Sequence, residues 1–146
     1  MYASRHVIVR HLLRHDVPLL HGWLQTAAFA AYNPNLVGLS QEALARRMRI
    51  LMELDPPAEI QALVEHRPTR TPIGLMSLSA IDRRNAKAEF AVGFVRGAAT
   101  RCALEAVHFA IDRAFTALEM HKLVFFVAPE NRSARRLIDR CGFTLI

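Results

Sequence analysis

Cysteines are few, long apolar runs are missing and the basic residues never cluster, and each shortage excludes something. The 146 residues hold two cysteines, Cys102 and Cys141, far apart and without CxxC or Cys/His metal spacing. Neither a disulfide framework nor a zinc site follows from such a pair, and both fall on predicted helices as reduced, buried thiols. The seven histidines form no cluster with ligand spacing, so no metal is expected. No stretch approaches the roughly 20 apolar residues that span a bilayer. The opening MYASRHVIVRHLLRHD has charges where a signal peptide needs an unbroken apolar segment, and a cytoplasmic protein is expected. Repeats, low-complexity tracts and linkers are absent. One domain over residues 1–146 is the simplest organisation.

What is present suits a folded core. Hydrophobic residues make up 52% and charged residues 22%, a globular balance that excludes a disordered chain. The net charge is +6, from 19 Lys and Arg against 13 Asp and Glu. Such an excess attracts anions. Most of it is arginine, scattered over turns and helix faces without interleaved aromatics, which argues against nucleic acid and leaves polyphosphate ligands as the better match.

Residues 6–13 (HVIVRHLL) read as a first strand. Asp16 stands ready to cap a helix entered at Val17-Pro18, with Leu19, Leu20, Trp23, Leu24 and Ala27 on one side. Residues 30–40 are loop-like, and Ser40 opens a second helix that runs to about Leu54. Strands follow at Glu59–Val64, Ile73–Ile81 and Lys87–Val95. The tight polar turn Asp82-Arg83-Arg84-Asn85 makes the last two a hairpin. The longest helix carries Ala103, Ala106, Val107, Ala110, Ile111, Ala114, Phe115 and Leu118 as one core-facing stripe. Leu123–Val127 is a strand, and a short helix follows with Ala134, Leu137, Ile138 and Cys141 on one face. Asn131 and Ser133 are both helix-start residues, and Gly142 is a left-handed stop. A final strand barely begins at Phe143–Ile146. This order, β-α-α-β-β-β-α-β-α, implies an α+β fold: a mostly antiparallel sheet with one parallel crossover, flanked by helices.

Strand, Asn-led helix and Gly-Phe in LVFFVAPENRSARRLIDRCGF (residues 123–143) resemble the closing segment of the GNAT superfamily of N-acetyltransferases. VIVRHLLRHD, IGLMSLSAIDRRNAKAEFAVGFV and Leu104-Glu105-Ala106 extend the resemblance over nearly the whole chain. It is most similar to the branch named for ribosomal-protein alanine acetyltransferases. The resemblance implies a twisted GNAT sheet and acetyl-CoA as cosubstrate. It also implies direct transfer, in a ternary complex, to a primary amine on a protein N-terminus or small molecule. Members usually continue past Gly-Phe with further strand, so truncation of the C-terminal strands is expected here. An exposed sheet edge of that kind would invite a homodimer.

The resemblance also assigns residues. Phe94 and Val95 fall where the pantetheine arm pairs with an exposed strand, and Gly93 there fits a bulge, a close backbone approach or simple packing. Arg96, Gly97, Ala98, Thr100 and Arg101 match the loop whose N–H groups hold the CoA pyrophosphate. Asn131 falls where it would contact CoA or cap its helix. Glu89 matches an acid of the branch and is the candidate base, with a solvated strand-face role beside it. Ile138 replaces the usual tyrosine acid. Ala134 occupies the slot of the branch's serine, one position after Ser133, the candidate acid or else a helix cap. Tyr32 and Trp23 are candidates to line the acceptor pocket, Trp23 with core packing as its other reading. Only Gly97 remains of the loop glycines, and Arg101 stands where a second is usual. An alternative follows: a degenerate GNAT-fold binding module with weak or no CoA binding.

Overall fold

Among the described residues, six strands lie side by side in chain order: β1 (Tyr2–Ala3), β2 (Val7–His11), β3 (Ile60–His66), β4 (Thr71–Asp82), β5 (Lys87–Phe94) and β6 (Lys122–Val124). Neighbours pair antiparallel from β1 to β5, and β5 pairs parallel with β6. Four α-helices complete the fold: α1 (Val17–Leu24), α2 (Gln41–Glu53), α3 (Thr100–Thr116) and α4 (Arg132–Arg140). The computed structural model describes residues 1–29, 35–127 and 129–145. The α+β class and the single parallel crossover stand as expected.

The sheet is buried on both faces, which is why IGLMSLSAI reads as an unbroken apolar run and not an alternating one. Leu63 and Leu75 pack against Leu20 and Leu24 of α1 and Leu44 and Met48 of α2. Val64, Met76, Leu78 and Phe90 point the other way, against Cys102, Ala106, Val107 and Ala114 of α3. Leu137 and Cys141, on and just beyond α4, join this second layer. Sheet residues therefore sort by parity into an α1/α2 face and an α3/α4 face.

Several local expectations need correction. A two-residue β1, too short for a period-2 signal, precedes the expected first strand. Asp16 does not cap α1 with its side chain. The carboxylate turns back and accepts from the Leu13 N–H (2.8 Å) and from both Arg10 amino groups, Nη1 at 2.7 Å and Nη2 at 2.9 Å. A buried carboxylate is better compensated by a guanidinium than by a helix end. Phe115 is 44% exposed, outside the expected stripe. It sits about 100° round the helix from buried Ala114, at the stripe's margin. Strand β6 stops at Val124, three residues short of the expected end, and Phe143–Leu145 form no strand. Ser40 caps α2 as expected, accepting from the Ala43 N–H.

Candidate active site

Glu89 and Val124 are the last parallel pair between β5 and β6. Beyond them β5 keeps its antiparallel partners, with Val92 opposite Met76 and Phe94 opposite Gly74. On the other side, among the described residues, β5 has no strand neighbour past that point. The backbone direction follows from bonds at each end of β5. His121 and Lys122 donate to the Ala86 carbonyl on the β6 side, whereas Val95 donates to the Ile73 carbonyl on the β4 side. Strand alternation then turns the N–H and C=O of Val92 and Phe94 into the gap. A sheet edge opened inside the fold is a place for an extended ligand to add as a strand.

The gap leads to the start of α3. Val95-Arg96-Gly97-Ala98 is a tight turn closed by the Ala98 N–H on the Val95 carbonyl (3.2 Å). Gly97 sits third in that turn at φ +87°, the left-handed position of a type II turn. Ala99 is the residue before the helix and offers no side-chain cap. The N–H groups of Gly97, Ala99, Thr100 and Arg101 have no acceptor among the described residues. Free amides at the positive end of a 17-residue helix form a polyphosphate-binding geometry. Arg96 and Arg101, both exposed, add charge to it. The sequence places an arginine where the family usually has glycine, yet the backbone amides remain available. These residues fit the nucleotide end of CoA.

Parity puts Glu89 on the α1/α2 face with Ala91 and Val95, at the closed end of the gap. Its side chain is half-buried and makes no hydrogen bond or ion pair among the described residues. Asn131 caps α4, its Oδ1 accepting from the Ala134 N–H at 3.1 Å. That leaves Ser133 without the capping role and with an exposed hydroxyl. Burial pushes the Cys102 and Cys141 thiols up, which suppresses thiolate nucleophiles here. Among the described residues no group of His, Cys, Asp or Glu is arranged to hold a metal ion.

Gly93 is a packing position and shows no bulge, pairing in register with Leu75. A Cβ there would lie 2.6 Å from Phe29 Cδ1, because the buried Phe29 ring occupies the space above it. Phe29 stacks on half-buried Trp23 with centroids 4.9 Å apart, so Trp23 holds the segment after α1 against β5. Tyr32 lies outside the described residues. Two features escaped the sequence reading: the Phe29–Gly93 interlock, and Ser77, whose buried Oγ has no hydrogen-bond partner among the described residues. Ser77 faces the α1/α2 side opposite Ala91, two pairs along from Ser79–Glu89. The serine is plain in IGLMSLSAI, but nothing in the sequence marks its hydroxyl as unsatisfied.

A parallel strand pair that parts beside an uncapped helix is the architecture of an N-acetyltransferase that draws its acyl group from acetyl-CoA. The family model described as acetyltransferase (GNAT) domain matches residues 6–144, and the chain belongs to that family. Its fold resembles spermidine N-acetyltransferase from Vibrio cholerae in complex with CoA and spermine. The identity is 26%, over 97% of this chain and 82% of that one, with a TM-score of 0.83. A dodecameric structure of the same enzyme in an intermediate state matches at 26% identity and TM-score 0.79, over 97% of this chain and 81% of that one. A chimera of that enzyme with hSSAT matches at 27% identity and TM-score 0.80, over 94% of this chain and 80% of that chain. No curated protein sequence matches. No helix among the described residues is long and apolar enough to cross a membrane.

Proposed function

We propose that the chain acetylates a primary amine, on a protein N-terminus or a small molecule, by direct transfer within a ternary complex. The observation that carries this is the opening of β5 from β6 beyond Glu89 and Val124. The thioester supplies an activated acetyl group, and the amine nitrogen forms the new bond to its carbonyl carbon as the bond to sulfur breaks. Val92 and Phe94 would align the pantetheine arm along β5, with Val95 leading into the turn. Arg96, Gly97, Ala98, Thr100 and Arg101 would hold the phosphates. Asn131, which shapes the start of α4, would border the same arm. Glu89 takes the proton from the incoming ammonium, so that a neutral amine attacks. Ser133 is the candidate donor to the departing sulfur. Suppressed cysteine thiols favour direct transfer over an acyl-enzyme, and holding both reactants supplies most of the rate.

The acceptor stays a primary amine of either origin. The structural neighbours are forms of a spermidine N-acetyltransferase, whereas the sequence resembles a branch that acts on protein N-termini. The free thiols and the acetyl-CoA requirement favour a cytoplasmic setting. The outer edge of β6, with exposed Phe126 beyond it, favours pairing between copies of the chain. One domain accounts for residues 1–146.

The test is thiol release from acetyl-CoA across a panel of amines that includes spermidine, simple monoamines and short peptides with free N-termini. Amine-dependent release, with the acetylated product seen by mass spectrometry, is the expected result. No release with any amine, while acetyl-CoA still raises the melting temperature, would leave a CoA-binding module and sink the transfer reading.

A further inference from the structure

Beneath the C-terminal half of α3 lies a cleft of about 460 Å³ that the transfer site does not use. Its floor is the sheet, with Met76, Leu78 and Phe90 all buried. Its wall is the pair Tyr2 and Phe109, whose rings stack with centroids 4.0 Å apart. The amides offered to the phosphates stand at the opposite end of the same helix. The volume falls within the range of small-molecule sites, and the lining is predominantly apolar, as such sites are.

The described residues that line the cleft include arginines but no acid. Among the described residues no carboxylate lines the cleft, whereas exposed His11 and Arg113 both do. Arg113 makes no ion pair among the described residues. Arg10, which also borders the cleft, is committed elsewhere, to Asp16 and Glu65. An apolar interior with an unneutralised guanidinium at its edge selects a ligand with an apolar body and a negative head.

We propose that this cleft is a second ligand site, for a small amphiphilic anion: a carboxylate carried on an aliphatic chain. The chain lies over Met76 and Leu78 against Phe109, and the carboxylate meets Arg113 at the rim. An amine of the same length meets like charge there and is rejected.

The test uses methyl-labelled methionine and NMR, with decanoate below its micelle concentration as the probe. The Met76 methyl signal is expected to move saturably, both without and with saturating acetyl-CoA. Met48 and Met52 line a separate cavity beside α2 and should stay where they are. Decylamine should leave Met76 unmoved. Arg113→Gln should weaken decanoate about fivefold, the effect of one exposed ion pair. Ala110→Trp should abolish binding by filling the cleft. If Ala110→Trp fails to fold, Arg113→Gln at its exposed position still decides the matter. A still Met76 signal, an equal response to decylamine, an unchanged affinity in Arg113→Gln, or displacement of decanoate by acetyl-CoA would each overturn the proposal.

Discussion

Glu89 and Val124 close the parallel pairing of β5 and β6, and Glu89 stands at that junction with a carboxylate that no other described residue engages. In the proposed mechanism this unpaired carboxylate takes the proton of the amine. Glu89→Gln keeps the shape and removes the proposed base. We expect kcat to fall by about a hundredfold to a thousandfold, the usual contribution of a general base. The KM for acetyl-CoA should change little, because the residue lies on the α1/α2 face. Steady-state kinetics check this, and a kcat within about twofold of wild type would remove Glu89 from the chemistry.

Gly93 predicts a coupling across the sheet. A methyl group added there would meet Phe29 Cδ1 at 2.6 Å and Cε1 at 2.8 Å, and Phe29 is held by its stack on Trp23. Gly93→Ala should therefore destabilise the fold by about 1–3 kcal/mol through overpacking. Phe29→Leu in the same chain should recover part of that loss, because it frees the space. Urea unfolding of the two single variants and the double variant gives the coupling. Additive effects would mean that the contact does not set the cost.

How much of this was legible in the sequence varies with the range of the interaction. The Ser40 and Asn131 caps and the β4–β5 hairpin are local patterns of a few residues and stand as read, and the α3 stripe stands apart from exposed Phe115. The gap beyond Glu89 was reached only through resemblance to a family, because no periodicity shows where two parallel strands part. Phe29 over Gly93 and Tyr2 on Phe109 join residues far apart in the chain, and no spacing rule pairs them. Asp16 was misread for a related reason. A helix-start aspartate resembles a cap until a guanidinium from the preceding strand competes for it.

Gly97 tests the phosphate loop. It holds φ +87° with nothing within 4 Å of an added Cβ, so the cost of a side chain there is conformational and not steric. Gly97→Ala should lose roughly 1–2 kcal/mol of stability. The turn that presents the α3 amides would also deform, and the KM for acetyl-CoA should rise by about tenfold, the equivalent of one lost charge-assisted hydrogen bond. Gly97→Asn should lose less of both, since Asn tolerates the left-handed region. Chemical denaturation and initial-rate kinetics measure the two effects. Equal losses in Ala and Asn would show that the backbone angle is not the controlling factor.

Asp16 carries a pH prediction. Burial alone would raise its carboxyl, but the hydrogen bonds from Arg10 and from the Leu13 N–H, with the Arg10 charge, outweigh burial and hold it below the ordinary value. A carboxylate whose folded pKa is depressed contributes stability above its unfolded pKa, about 3.9. That contribution disappears as pH falls through the lower folded value. Asp16→Asn should cost about 2–3 kcal/mol at pH 7, the effect of charged hydrogen bonds lost beside a half-buried Arg10. Thermal melts of both proteins from pH 7 down to pH 3 should show the wild-type advantage constant above about pH 4.5 and shrinking below pH 4. A constant gap across that range would show that the Arg10–Asp16 pair stabilises through shape alone. A gap that widened in acid would reverse the sign argued for the carboxyl.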